Sequence, residues 1–235
     1  MNVTPIDKCS SFINSLSSRP DGDPGRPLPV ITISRETGAG AVTIAHLVSD
    51  ILRDRFRDRK QEWAVFDKNL IQTVLDRHEL KTSLEKYMPE DIRPLVPDTV
   101  EEILGLHPSS WTLNEYTRQT ILELAMAGGT IIVGRGGHIV TRHLKHALHV
   151  RLVSPLEKRI RHIQSFYKID RNAAVEMVRR KDKGRERYIS EVFQSRIADP
   201  LAYHMTLNTG SLGFDCSAEI IAAAAQELIK KANTP

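Results

Sequence analysis

The sequence predicts an α/β protein with a five-stranded parallel β-sheet and helices on both faces. Short β-branched runs alternate with longer segments whose apolar residues recur at helical spacing. A helix between two strands requires a crossover connection, which makes the strands parallel and covers both faces of the sheet. The predicted strands comprise residues 30–33, 64–66, 130–133, 148–153 and 203–207.

Helices are predicted between these strands and after the last one. Their apolar spacing places them at residues 43–56, 68–77, 113–127, 155–166, 171–181 and 218–231. Residues 80–112 contain four prolines, which interrupt any long helix. We therefore interpret this segment as an insertion.

Length and composition indicate one globular domain with an N-terminal appendage. The chain has 235 residues, of which 40% are hydrophobic and 26% charged, a balance that excludes fibrous and wholly disordered classes. Residues 1–29 end in a stretch rich in Pro, Gly and Ser, which is typical of a linker. The domain itself is expected to span residues 30–235.

Cysteine content and hydropathy favour a cytoplasmic protein without a membrane partner. The two cysteines, Cys9 and Cys216, are too few for a disulfide framework and suit a reducing compartment. No apolar run approaches the roughly 20 residues of a membrane helix, and we expect no signal peptide.

Positive charge is concentrated in one part of the chain. The formal net charge is +4, yet residues 157–187 hold eleven Lys or Arg against five Asp or Glu. Such a cluster favours a phosphate-bearing ligand, either a nucleotide or a nucleic acid. A solvated helix face held by ion pairs explains it equally well.

A glycine loop follows the first strand and leads into a helix. Gly38 and Gly40 allow positive φ, and the first amides of the helix can bind an anion. We expect a phosphate cradle here, with the Thr43 hydroxyl within reach of Mg²⁺. The P-loop pattern requires Lys where this chain has Ala41. A plain strand-to-helix turn is the alternative. The cradle consists of Gly38, Ala39, Gly40, Ala41, Val42 and Thr43.

Charged residues follow the other strands at the same edge. Arg135 stands between two glycines after the third strand, where its guanidinium can grip a phosphate or pair with a structural carboxylate. Asp67 follows the second strand and either faces a ligand or caps the next helix. Arg179, Arg180 and Arg185 can close over triphosphate oxygens, or belong to a solvated amphipathic helix. The nine histidines lack the spacing of a metal site.

Five motifs, in order from residue 30 to residue 210, resemble the bacterial cytidylate kinase-like family of P-loop proteins, within the nucleoside monophosphate kinase superfamily. The fourth matches the family's Asp-x-x-Arg-x-x-Tyr lid pattern with Asp182, Arg185 and Tyr188. The motifs occupy residues 30–40, 66–71, 131–136, 182–188 and 199–209.

The resemblance implies a P-loop fold with an Arg-rich helical lid at residues 179–199 and an acceptor-side insertion at residues 80–112. It implies a transferase that moves the γ-phosphoryl group of ATP, with Mg²⁺, to a nucleoside monophosphate, expected to be CMP or dCMP. By position, residues 38–43 would hold the ATP phosphates, with Thr43 near the metal. Three groups of residues complete the expected site. Asp67, Gly134 and Arg135 lie at the acceptor; Arg179, Arg180 and Arg185 belong to the lid; and Arg35, Arg135 and Arg185 act in catalysis.

The chain departs from authentic cytidylate kinases at Ala41, which replaces Lys, and at Val133 and Gly136, which stand where those enzymes have Asp. Arg35 is our hypothesis for the source of the missing positive charge. The alternatives are a nucleotide-binding regulatory protein without transfer and a kinase of another small molecule. A nucleic-acid-binding module is disfavoured, because aromatic residues form 6% of the chain and do not interleave with the basic stretch.

Overall fold

A computed structural model describes residues 28–56, 63–67 and 110–233. The predicted α/β class is confirmed, with five parallel strands in the order β2-β3-β1-β4-β5. Ile33 of the central strand lies beside Val133 on one side and Val150 on the other. The strands are β1 (Val30–Arg35), β2 (Ala64–Phe66), β3 (Thr130–Val133), β4 (Ala147–Val153) and β5 (Met205–Asn208).

Seven α-helices are found in the described residues, and none is long and apolar enough to cross a membrane. The helix predicted at residues 68–77, residues 1–27 and most of the 80–112 insertion lie outside the described residues. The helices are α1 (Ala41–Arg55), α2 (Ser110–Ala127), α3 (Gly137–Val140), α4 (Leu156–Tyr167), α5 (Arg171–Phe193), α6 (Thr209–Leu212) and α7 (Phe214–Asn233), and Pro200–Ala202 forms a 3₁₀ turn.

Hydrophobic cores lie on both faces of the sheet, as the parallel topology predicts. Alternate residues of a strand point to opposite faces. Ile31 and Ile33 belong to the cluster that contains the apolar residues of α1 and α7. Val30 and Ile132 belong to the cluster formed with Ile121 and other residues of α2. Since burial of such a side chain contributes about 1.5–3 kcal/mol, these two cores hold the strand ends in place.

Helix α5 is longer than the sequence predicted. It runs to Phe193 instead of ending at residue 181. Asp170 caps its start by accepting a 3.0 Å hydrogen bond from the Ala173 N–H, and Gln194 ends it in a left-handed conformation, φ 50°. Gly184 lies inside the helix and is buried, and it does not break the helix.

Candidate functional site

The loop after β1 requires glycine at two positions. Gly38 and Gly40 have φ values of +85° and +80°. A Cβ atom on Gly38 would lie 2.6 Å from the Arg159 carbonyl oxygen, and one on Gly40 would meet the Phe214 ring. Helix α1 starts at this loop without a side-chain cap. Its first N–H groups are therefore left without the side-chain acceptor that usually satisfies them, which suits an anion.

A network of charged side chains joins this loop to α5. The Asp182 carboxylate accepts hydrogen bonds from the Thr37 N–H at 2.7 Å and from Arg159 Nη1 at 2.6 Å. Arg185 Nη1 lies 3.2 Å from the same carboxylate and 2.5 Å from Thr37 Oγ1. Arg159 also donates to the Thr37 carbonyl oxygen and lies 3.3 Å from the Glu36 carboxylate. We call these five residues the loop–lid network.

The loop after β3 contains three consecutive left-handed residues. Gly134, Arg135 and Gly136 have φ values of 90°, 54° and 68°. The left-handed conformation costs a non-glycine residue such as Arg135 about 1–2 kcal/mol. A Cβ atom on Gly136 would lie 2.3 Å from the Phe193 ring. Phe193 thus rests on this loop, while Asp182 and Arg185 of the same helix contact the β1 loop, so α5 spans both loops.

The structure brings Arg35, Arg135 and Arg185 together in one cleft at the carboxyl ends of β1 and β3. Guanidinium groups on one cleft favour a phosphate or carboxylate, which they bind bidentately. The cleft is also lined by Ser34, Gly134, Gly136, His138, Tyr188, Ile189 and Ile197.

Other residues selected from the sequence lie elsewhere. Arg179 and Arg180 are exposed and line a separate groove on α5 with Glu176 and Lys183, among others. Thr43 is exposed in the first turn of α1. Asp67 is half-buried directly after β2, the edge strand next to β3.

Three residues of the site escaped sequence reasoning. In the sequence, Arg159 is only one member of the basic cluster, and Asp182 is only one position of a motif. The spacing of Asp182 and Arg185, three residues apart on a helix, is the one available signal for their ion pair. No sequence pattern identified His138 as part of the cleft.

Stacked polar side chains lie beside the cleft. The His138 ring stacks on Tyr203 with centroids 4.6 Å apart. The Tyr203 hydroxyl lies 2.9 Å from the Ile197 carbonyl oxygen and 3.1 Å from Ser34 Oγ, which also accepts a hydrogen bond from Arg151. Burial, together with the nearby Arg151 guanidinium, lowers the pKa of His138 to about 4. The imidazole is therefore neutral near pH 7.

A second buried histidine lies on β4. His149 stacks on His204 at 4.7 Å and its Nδ1 lies 2.9 Å from Thr32 Oγ1. Burial, and then the neighbouring His204 and His138, lower the pKa of His149 to about 3. Within the described ranges, no three His, Cys, Asp or Glu side chains converge as a metal site would require.

Comparison with one solved structure agrees with this architecture. The structure of an uncharacterized protein from Eubacterium ventriosum ATCC 27560 is 16% identical, covers 84% of this chain and 98% of its own, and superposes with a TM-score of 0.58, which shows the fold alone. Shikimate kinase from Bacteroides thetaiotaomicron is 12% identical over 86% of this chain and 98% of its own, with a TM-score of 0.46.

One curated protein matches a shorter stretch. The uronate isomerase of Corynebacterium glutamicum is 25% identical over 97 residues, which is 41% of this chain and 19% of that protein. The chain thus spans about a fifth of this relative's length.

The family comparison covers most of the chain. The model of the cytidylate kinase-like family matches residues 30–211, from β1 to α6. This range includes the glycine loop, the loop–lid network and the arginine cleft. The chain belongs to the cytidylate kinase-like family.

Proposed function

We propose that the protein transfers the γ-phosphoryl group of Mg-ATP to a nucleoside monophosphate, with CMP or dCMP as the acceptor. The observation that carries this proposal is the convergence of Arg35, Arg135 and Arg185 on one cleft beside the glycine loop. Phosphoryl transfer depends mainly on positioning and on neutralisation of negative charge. A site rich in arginine supplies both without a catalytic base.

The ATP phosphates are assigned to residues 38–43. The support is the two glycines, where positive φ and close neighbours disfavour a side chain, together with the uncapped N-terminus of α1. Thr43, exposed in the first turn, would contribute its hydroxyl to the Mg²⁺ ion that the nucleotide carries. The metal would supply charge neutralisation at the phosphates when bound.

The acceptor is assigned to the β3 side of the cleft. Arg135, with Gly134, would hold the monophosphate, and Asp67 would border this site from the end of β2. Arg35, at the end of β1, is our candidate for the charge that Lys supplies in other P-loops, because Ala41 cannot supply it. Arg185 is the lid residue already in the cleft. Arg179 and Arg180 line a separate groove on α5, so they are not assigned to this cleft.

A regulatory protein that binds nucleotide without transfer is the second candidate. The loop–lid network favours it, because the Asp182 carboxylate already pairs with Arg159 and Arg185 and accepts the Thr37 N–H. Groups that would stabilise transferring phosphate are thus partly neutralised by the protein itself. The content of cysteine favours the cytoplasm as the site of either activity.

A radiolabelled transfer assay tests the proposal. Mg-ATP labelled in the γ position is offered to CMP, dCMP, UMP, AMP and GMP, with the wild type, Arg135→Ala and Arg118→Ala. Arg118 is the matched control, since it is exposed on α2 and pairs with Glu115. We expect label on CMP or dCMP, lost in Arg135→Ala and kept in Arg118→Ala. ATP binding without transfer to any acceptor would support the regulatory protein.

A further inference from the structure

His138 is a buried polar side chain of the cleft with an unsatisfied nitrogen. It is 4% exposed and lines the cleft together with Arg35, Arg135 and Arg185. Its Nε2 atom has no hydrogen-bond partner among the described residues. A buried polar atom without a partner is costly and uncommon in native proteins. This nitrogen is shielded from solvent and the space in the cleft is about 10 Å³, so a ligand group can pair with it only when the cleft opens.

The His138 ring is held in its place. It stacks on Tyr203 at a centroid distance of 4.6 Å. Tyr203 is fixed in turn by the contacts of its hydroxyl with the Ile197 carbonyl oxygen and Ser34 Oγ. Ser34 and Ile197 line the same cleft. The orientation of the imidazole is therefore set before a ligand binds, which reduces the entropy cost of using it in recognition.

The charge state of His138 separates its role from that of the arginines. Burial, with the Arg151 guanidinium nearby, lowers its pKa to about 4, so the ring is neutral under physiological conditions. A neutral imidazole nitrogen pairs with a hydroxyl, amino or amide group and adds no charge against a phosphate. Arg35, Arg135 and Arg185 supply the charge that a phosphate needs.

We propose that His138 is a specificity-determining residue of the acceptor site, whose Nε2 forms a hydrogen bond with a neutral polar group of a phosphorylated acceptor. The phosphate of the same molecule is bound by the arginines of the cleft. The inference rests on the proposed function for the class of acceptor. It concerns binding, and it does not require that transfer occurs.

Calorimetric titration of the full chain tests the proposal. The probes are inorganic phosphate, ribose 5-phosphate, CMP, dCMP, UMP, AMP and GMP. The variants are His138→Phe, which keeps a stacking ring, His138→Gln, which places an amide nitrogen near the Nε2 position, and His149→Phe. His149 is the matched control, because it is also a buried histidine stacked on another ring, and it does not line the cleft.

His138→Phe should weaken the best-bound organic phosphate about tenfold, as expected for one hydrogen bond, and leave inorganic phosphate unchanged. His138→Gln should recover the affinity for the organic phosphate to within about threefold of the wild type. His149→Phe should leave the affinity for both ligands unchanged. The melting temperature of ligand-free His138→Phe should equal or exceed that of the wild type, because an unsatisfied buried nitrogen is removed. A merely structural histidine would lower it.

Three results would overturn the proposal. His138→Phe could lose the same affinity for inorganic phosphate as for the organic phosphates, or lose affinity for neither. The wild type could also bind no organic phosphate more tightly than inorganic phosphate. Failure of the proposed function is a different result. An organic phosphate that binds through His138, yet receives no label from ATP, would refute transfer to it and leave the recognition role in place.

Discussion

The carboxylate of Asp182 accepts a 2.7 Å hydrogen bond from the backbone N–H of Thr37, and this contact joins α5 to the loop after β1. Arg159 and Arg185 pair with the same carboxylate. A protein anion is thus bound at the rim of a loop whose glycines and helix N-terminus suit phosphate. The position of α5 over the cleft and the charge of the cleft are therefore coupled through one side chain.

The Asp182 carboxylate is expected to stabilise the fold. Asp182→Asn keeps the shape of the side chain but removes the negative charge that faces Arg159 and Arg185. The free energy of unfolding should therefore fall by about 1.5–3 kcal/mol, the range for hydrogen bonds to charged groups. Urea unfolding measures the change. Glu227→Gln is the control, because the Glu227–Lys230 pair is exposed and should contribute no more than about 0.5 kcal/mol. Equal effects of the two substitutions would contradict a structural role of the network.

Gly40→Ala is predicted to destabilise the fold for two separable reasons. Gly40 is left-handed, with φ 80° and ψ 18°, a conformation that should cost a residue with a Cβ atom about 1–2 kcal/mol. The Phe214 ring lies 2.4 Å from where that Cβ would be, and moving the ring should cost about 1–3 kcal/mol more.

The Phe214→Ala background separates the two costs at Gly40. There Gly40→Ala should cost only the about 1–2 kcal/mol of the left-handed conformation, as measured by urea unfolding in a double-mutant cycle. The same cost with and without the ring would show that the loop backbone, and not the contact with Phe214, limits this position.

Local patterns in the sequence were sufficient for most of the fold. The β-branched run before Gly38 and the Gly128-Gly129 stop after α2 are short-range signals, and both mark boundaries that the structure contains. Arg35 and Arg135 could be placed at one edge, because the ends of parallel strands meet there. The end of α5 was missed, since a glycine inside a helix is indistinguishable in sequence from a break.

The contacts that give the site its character are long-range. Thr37 and Asp182 are 145 residues apart, and their pairing depends on how α5 packs against the loops after β1 and β3. The burial of His138 depends on Tyr203, which precedes β5. No local pattern distinguishes a buried histidine from an exposed one, so neither contact could be predicted from the sequence.

Arg135 is predicted to lower the stability of the fold while its guanidinium binds the acceptor. Its φ of 54° is left-handed, and a residue without Cβ avoids most of the cost. Arg135→Gly and Arg135→Ala both remove the guanidinium, so both should lose the affinity for phosphorylated acceptors. Arg135→Gly should nevertheless be about 1 kcal/mol more stable than Arg135→Ala in urea unfolding. Equal stability of the two variants would show that the backbone at this position is not strained.

The free energy of unfolding is predicted to fall as the pH drops below the pKa of an ordinary histidine. The pKa values of His138 and His149 are about 4 and about 3 in the folded protein, against about 6.5 in an unfolded chain. Below pH 6.5 the unfolded state binds protons that the folded state does not. The contribution of the two neutral histidines to stability is therefore complete above pH 6.5. It is lost as the pH falls toward their pKa values in the folded protein.

Each of these histidines should therefore lower the free energy of unfolding by about 2 kcal/mol between pH 7 and pH 5. The measurement is urea unfolding at pH 7.0, 6.0 and 5.0 for the wild type and for His149→Gln. The variant lacks one buried imidazole, so its stability should decline less steeply, by about 2 kcal/mol over this range. Parallel curves would show that His149 has the same pKa in the folded protein as in the unfolded chain, and its stack on His204 would then have to accommodate a charge below that pKa.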